Sequence, residues 1–141
     1  MNNDFDVSGF LKVTVLSGIF LFPIEDAKVT ISSDEIDNSD VITTVYTDKS
    51  GSTGPIPLAA YDENYNIPQT PIRPVKIYNV TVTKDGYSKV IAQSVPIFPN
   101  IVSEKFVYMV PLPEMLGAPY SDFENTIYTT DINEMVGGEE N

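Results

Sequence analysis

Cysteine, histidine and tryptophan are absent from this 141-residue chain. Without cysteine there is no disulfide, no thiolate metal site and no thiol redox chemistry. Without histidine, the commonest general base and the commonest transition-metal ligand are lost together. Zinc hydrolysis, Ser-His-Asp hydrolysis and Cys-His chemistry are excluded in their usual forms. Positive charge is scarce as well: 8 Lys and Arg stand against 20 Asp and Glu, a formal net charge of −12. Residues 114–141 hold 7 of those acids and no base. So acidic a chain is repelled by phosphate backbones and anionic bilayers, so neither nucleic acid nor membrane is expected as a partner.

Long apolar runs are missing too. The most apolar segment, Val13–Ile24, is interrupted by Ser17-Gly18 and Pro23 and is too short to span a bilayer. The opening MNNDFDVSGF has neither the basic region nor the apolar run of a secretory signal, so the expectation is a protein that is cytoplasmic at synthesis.

What the chain does have is alternation. In Lys76–Leu112, Tyr78, Val80 and Val82 alternate with Asn79, Thr81 and Thr83, the period-two mark of a half-buried strand. Lys84-Asp85-Gly86 supplies a turn, and a further strand leaves from Tyr87. Earlier, Ser8–Leu16 reads as a strand with Leu11, Val13 and Val15 on one face. Pro23–Ser32 gives a turn and a strand with Ala27, Val29 and Ile31 inward. Val41–Thr47 is β-branched and aromatic, and a short strand is expected around Pro55–Ala59. The last strand, Glu104–Leu112, is expected to turn Phe106, Tyr108 and Val110 inward, or the opposite set if the register slips by one. About seven short strands with no amphipathic helix before residue 113 predict an all-β sandwich. The expected organisation is a lead-in over 1–7, a sandwich over 8–113 and an acidic tail over 114–141.

Gly9–Val15 (GFLKVTV), Pro23–Ile31 (PIEDAKVTI), Thr47–Gly51 (TDKSG) and Tyr78–Val82 with Asp85-Gly86-Tyr87 together resemble a carboxypeptidase regulatory-like domain. That resemblance implies a seven-stranded transthyretin-like (prealbumin-like) Greek-key sandwich across residues 8–113. The Pro-rich connection before Tyr78 and the run VPIFPNIVSEKFVYMVPLP resemble, more narrowly, the N-terminal domain of spore cortex-lytic enzymes. This implies a spore or cell-wall setting, with synthesis in the mother cell and later association with the spore. It implies no lytic activity, since only the acidic tail follows Pro113.

Candidate constellations are few. Asp34, Glu35, Asp37 and Asp40 offer oxygens to Ca²⁺, but the spacing lacks an EF-hand's Gly and terminal Glu, and a solvated acidic loop is the better reading. Asp48–Gly54 lacks the Gly-Lys-Ser/Thr of a phosphate loop and is a turn. Lys12 with Asn100 or Asp85 is a weak isopeptide candidate, needing a buried Lys. Tyr46, Tyr61, Tyr65, Tyr78, Tyr87 and Tyr108 offer rings for stacking on peptidoglycan sugars, although core packing explains alternating aromatics better. Hydroxyisourate-type hydrolysis on this fold is rejected for want of His. Two stretches point to contacts. Ile19, Phe20, Leu21 and Phe22 form an apolar connection, either folded over the core or exposed as a patch. Thr126, Tyr128, Thr130 and Ile132 share one face of Asn125–Ile132, which either adds as a strand to a sheet edge, in the same molecule or a neighbour, or belongs to a solubilising tail. The expected function is a non-catalytic binding or scaffolding module without cofactor or metal, acting on a protein partner, itself or peptidoglycan. The alternatives are a regulatory partner or inhibitor of a cortex-lytic enzyme, and a structural subunit assembling through its C-terminal strand.

Overall fold

A computed structural model describes residues 6–34, 40–62, 75–113 and 126–130. Among them are eight strands: β1 (Asp6–Ser17), β2 (Lys28–Ser33), β3 (Val41–Tyr46), β4 (Ser52–Tyr61), β5 (Lys76–Thr83), β6 (Lys89–Ile97), β7 (Val102–Met109) and β8 (Thr126–Thr130). They form two sheets, a three-stranded one ordered β4-β1-β7 and a five-stranded one ordered β3-β2-β5-β6-β8. Pairing is antiparallel except for β1 with β7 and β6 with β8. The protein is an all-β, two-sheet sandwich, and no helix among the described residues is long and apolar enough to cross a membrane.

Alternation decides which side of each strand meets the core. Leu11, Val13 and Val15 of β1, Val29 and Ile31 of β2, and Val80 and Val82 of β5 are fully buried in one cluster. Tyr78 is buried too, and its hydroxyl donates to the Ala59 carbonyl at 2.5 Å, joining the large sheet to β4 of the small one. The Lys84–Ser88 hairpin follows β5; there Gly86 takes a φ of 87°, and Tyr87 packs against the core.

One expectation is corrected. The inward set on β7 is Lys105, Val107 and Met109, while Phe106, Tyr108 and Val110 stand outside, so the strand sits in the other register phase. Apolar content favoured the aromatic set, but Met109 is fully buried and Lys105 is only 8% exposed. Burying a lysine's methylene stem leaves the aromatic side of the strand to the surface. The strand also starts at Val102, two residues before the expected Glu104. Likewise β4 is longer than expected, running from Ser52 to Tyr61.

Hydrogen-bond directions show which strand edges are open. Val15 N–H donates to the Gly51 carbonyl and Val13 N–H to Thr53 Oγ1, so odd-numbered residues of β1 point their backbone toward β4. The register pairs Leu11 with Ile56 and Gly9 with Leu58, and Pro55 and Pro57 therefore aim their ring nitrogens at the open side of β4. Proline has no N–H to offer there, which blunts that edge. On the other flank, Phe10 N–H donates to the Ile101 carbonyl and Gly18 N–H to the Met109 carbonyl. Odd residues of β7 thus face β1, while Glu104, Phe106 and Tyr108 direct their backbone groups outward.

The turn before β2 depends on a single buried hydroxyl. Thr47 Oγ1 accepts from Ala27 N–H at 2.9 Å and donates to the Ile24 carbonyl at 2.6 Å. Asp26 N–H donates to the Thr47 carbonyl across a turn in which Asp26 has a φ of 62°. Replacing Thr47 with Val keeps the shape and strands the Ala27 N–H and Ile24 carbonyl without partners. The expected result is a loss of roughly 1–3 kcal/mol in urea-unfolding free energy with an unchanged m-value.

Candidate functional site

The connection between β1 and β2 is a shaped turn. Ser17, almost fully buried, organises it: its Oγ lies 3.3 Å from Ile19 N–H and 3.5 Å from Phe20 N–H, accepting from both. Leu21 N–H donates to the Ser17 carbonyl, and Ser17 N–H donates to the Phe22 carbonyl, both at 2.8 Å. The bond from Gly18 to Met109 clips the turn to the end of β7. The four apolar side chains then have nowhere to go but outward. Phe20 is 75% exposed and Leu21 60% exposed; Ile19 and Phe22 are nearly half exposed. The rings of Phe20 and Phe22 stack with centroids 6.2 Å apart.

Leu21 stands in the left-handed region with a φ of 61°, a conformation that favours glycine. A bulky aliphatic residue is kept where backbone sterics oppose it, and its side chain covers no core.

The patch extends onto the outer face of the small sheet. The β1–β7 register sets Leu16 beside Tyr108 and Thr14 beside Phe106. Phe106, Tyr108 and Val110 are exposed there, in line with the turn. Sequence reasoning found the turn and missed this extension, because it faced the β7 aromatics inward. The exposed alternation itself was the available signal.

The other sequence candidates fall elsewhere. Thr126–Thr130 pairs in parallel with β6 of the same chain, Tyr128 opposite Ile91, with Ile127 packed against the core and Tyr128 exposed. Ile132 lies outside the described residues, as do Tyr65, Glu35 and Asp37. Lys12 is on the outer face of the small sheet between Pro55 and Glu104, away from the inter-sheet core that an isopeptide bond requires. The exposed rings Tyr46 and Tyr108 are on different sheets and form no common stacking platform. A cleft of about 450 Å³ opens beside Ser33, Asp34, Ile42, Tyr61 and Lys76, where the Lys76 ammonium lies 5.0 Å from the Tyr61 ring centre. Among the described residues no group of three or more His, Cys, Asp or Glu could hold a metal ion.

Of the expected Asp48–Gly54 turn, Asp48–Gly51 is a turn held by its first carboxylate, and Ser52 already begins β4. Asp48 Oδ1 accepts from Ser52 N–H, Ser50 Oγ and Ser50 N–H at 2.8–3.0 Å. The Ser52 N–H, with help from Ser50, holds the Asp48 carboxyl below its ordinary value.

Solved structures of catechol 1,2-dioxygenase share this architecture. The wild-type enzyme of Acinetobacter radioresistens is 16% identical with a TM-score of 0.52, covering 90% of this chain and 58% of that one. The enzyme of Acinetobacter sp. ADP1, inhibited by bound mercury, is 11% identical with the same TM-score, covering 89% of this chain and 59% of that one. This chain therefore spans well under two thirds of those enzymes, and at such identity the likeness is one of fold. No family model matches the chain, and no curated protein sequence matches it.

Two outcomes follow from the turns. Leu21→Gly relieves the left-handed strain and should raise stability by about 1 kcal/mol in urea unfolding while removing part of the exposed patch. Asp48 has a lowered folded-state pKa, so its stabilisation is present above the unfolded value and lost as pH falls through the folded one. The gap in urea midpoint between wild type and Asp48→Ala should therefore narrow as pH is taken from about 6 to about 2.

Proposed function

We propose that this chain is a non-catalytic binding or scaffolding module of the transthyretin-like (prealbumin-like) type, serving a spore- or wall-associated protein assembly. The observation that carries the reading is the apolar turn, with Phe20, Leu21 and Phe22 held outward by a buried serine in a locally strained backbone. Solvent-exposed apolar residues held in one defined geometry suit contact with another macromolecule and serve no purpose in the core of this sandwich. The absence of His and Cys from the sequence favours binding over turnover. The seven strands before Pro113 and the motifs GFLKVTV, PIEDAKVTI and DGY support the carboxypeptidase regulatory-like resemblance, and the Pro-rich connection with VPIFPNIVSEKFVYMVPLP supports the narrower likeness that implies a wall or spore setting.

A regulatory role is the second reading, in which the same turn masks a cortex-lytic enzyme. Its support is the turn at the ends of β1 and β7, where exposed Phe20 and Leu21 could enter a partner's groove.

Both readings are tested with purified chain against peptidoglycan sacculi in cosedimentation, and against a cortex-lytic hydrolase in a binding and activity titration. Retention on one of them with a Kd of about 1–50 µM is expected, weakened at least about tenfold in Phe20→Ser/Phe22→Ser. Slower hydrolysis on adding the chain selects the regulatory role. Retention on neither target at about 200 µM overturns both.

A further inference from the structure

The open edge of β7 and the apolar surface around it point to a specific occupant. We propose that β7 pairs antiparallel with β7 of a second copy, across a two-fold axis through Phe106, joining the small sheets of two molecules. The proposal deepens the contact-surface reading above and rests on it.

Four features carry it. Glu104, Phe106 and Tyr108 present backbone donors and acceptors on the side away from β1, and among the described residues no strand pairs there. Such an edge recognises another extended backbone. The edge has a defined end: Ser88 N–H donates to the Val110 carbonyl and Leu112 N–H to the Gly86 carbonyl, so the Lys84–Ser88 hairpin closes it beyond Tyr108.

Charges exclude two registers, and the end of the open edge beyond Tyr108 leaves the axis through Phe106, which pairs Glu104 to Tyr108 entirely among themselves. An axis through Glu104 would oppose two carboxylates, and one through Lys105 would oppose two ammonium groups. With Phe106 on the axis, each Glu104 meets a Tyr108 and each Lys105 meets a Val107, and no like charges face each other. Residues with outward-pointing backbone then meet residues with outward-pointing backbone, as an antiparallel ladder requires.

The ends of the strand are complementary. At the start of β7 stand exposed Phe98, Ile101 and Val102, its first residue; at its far end stand exposed Val110 and the turn after β1 that carries Phe20, Leu21 and Phe22. Antiparallel pairing brings the first group of one molecule toward the second group of the other. These side chains and the β7 aromatics are the kind of exposed apolar surface that a contact between copies covers. Opposing association is the net charge of −12 on each copy, so dimers should tighten as salt screens it.

The test uses the full chain. Sedimentation velocity from about 1 to 200 µM should show a monomer–dimer equilibrium whose Kd falls when salt is raised from about 50 to 500 mM. Phe106→Pro removes the outward N–H, as Pro55 and Pro57 do on β4, and should weaken the dimer at least tenfold while the circular-dichroism spectrum stays that of a β protein. Because the chain has no cysteine, Phe106→Cys gives a single thiol; mild oxidation should yield a disulfide dimer, whereas Thr44→Cys on the edge strand β3 should not. A wild type that remains monomeric at about 200 µM, or Thr44→Cys that cross-links as readily as Phe106→Cys, overturns the proposal. If the monomer still binds sacculi or hydrolase through Phe20 and Phe22, the dimer is wrong and the contact-surface reading stands. If a β7 dimer forms and binds neither target, the functional reading is the one that fails.

Discussion

The burial of one strand between two dissimilar neighbours holds this fold together. β1 pairs antiparallel with β4 on one side and parallel with β7 on the other, while Leu11, Val13 and Val15 are fully buried in the core shared with the larger sheet. Because side chains alternate with a period of two, a one-residue slip of β1 would expose these three and bury Lys12 and Thr14. The register of the small sheet is thereby specified by the core. The position of everything attached to that sheet follows, including the turn after Ser17 and the outward aromatics of β7.

That constraint explains how the surface patch is built. Ser17 ends β1 in a buried position, and its hydroxyl and backbone groups close the turn within a few residues. An apolar loop of ordinary composition would fold its side chains onto the nearest core. Here the core is already filled by Val107 and Met109 at the end of the adjacent strand, so Phe20 and Leu21 remain in water. The strained φ of Leu21 belongs to the same arrangement: a turn this tight needs a left-handed residue, and a leucine occupies the position.

Much of the fold could be read from the residues, and the limits are physical. Strands β1, β2 and β5 alternate cleanly, and their inward sets, Leu11 to Val15, Ala27 to Ile31 and Tyr78 to Val82, are buried. β7 misled because each of its faces carries large apolar residues and one charge, Glu104 beside the aromatics and Lys105 beside Val107 and Met109. Only the packing of the whole sandwich decides that case, since it can bury a lysine stem more readily than two further aromatic rings. The partners of each strand were beyond local reading altogether. Nothing within Thr126–Thr130 specifies a parallel place beside β6, and nothing in Val102–Met109 specifies one beside β1. The contact turn was recognisable as an apolar connection, but its exposure depended on Ser17 and on the filled end of the core, both long-range properties.

The two prolines of β4 have a meaning for how large any assembly can become. A sheet able to recruit strands at both margins can lengthen without limit, which is the geometry of fibrils. This small sheet has one receptive margin and one at which Pro55 and Pro57 present rings in place of donors. Strand addition to this sheet is therefore confined to one margin, which a single partner strand would fill.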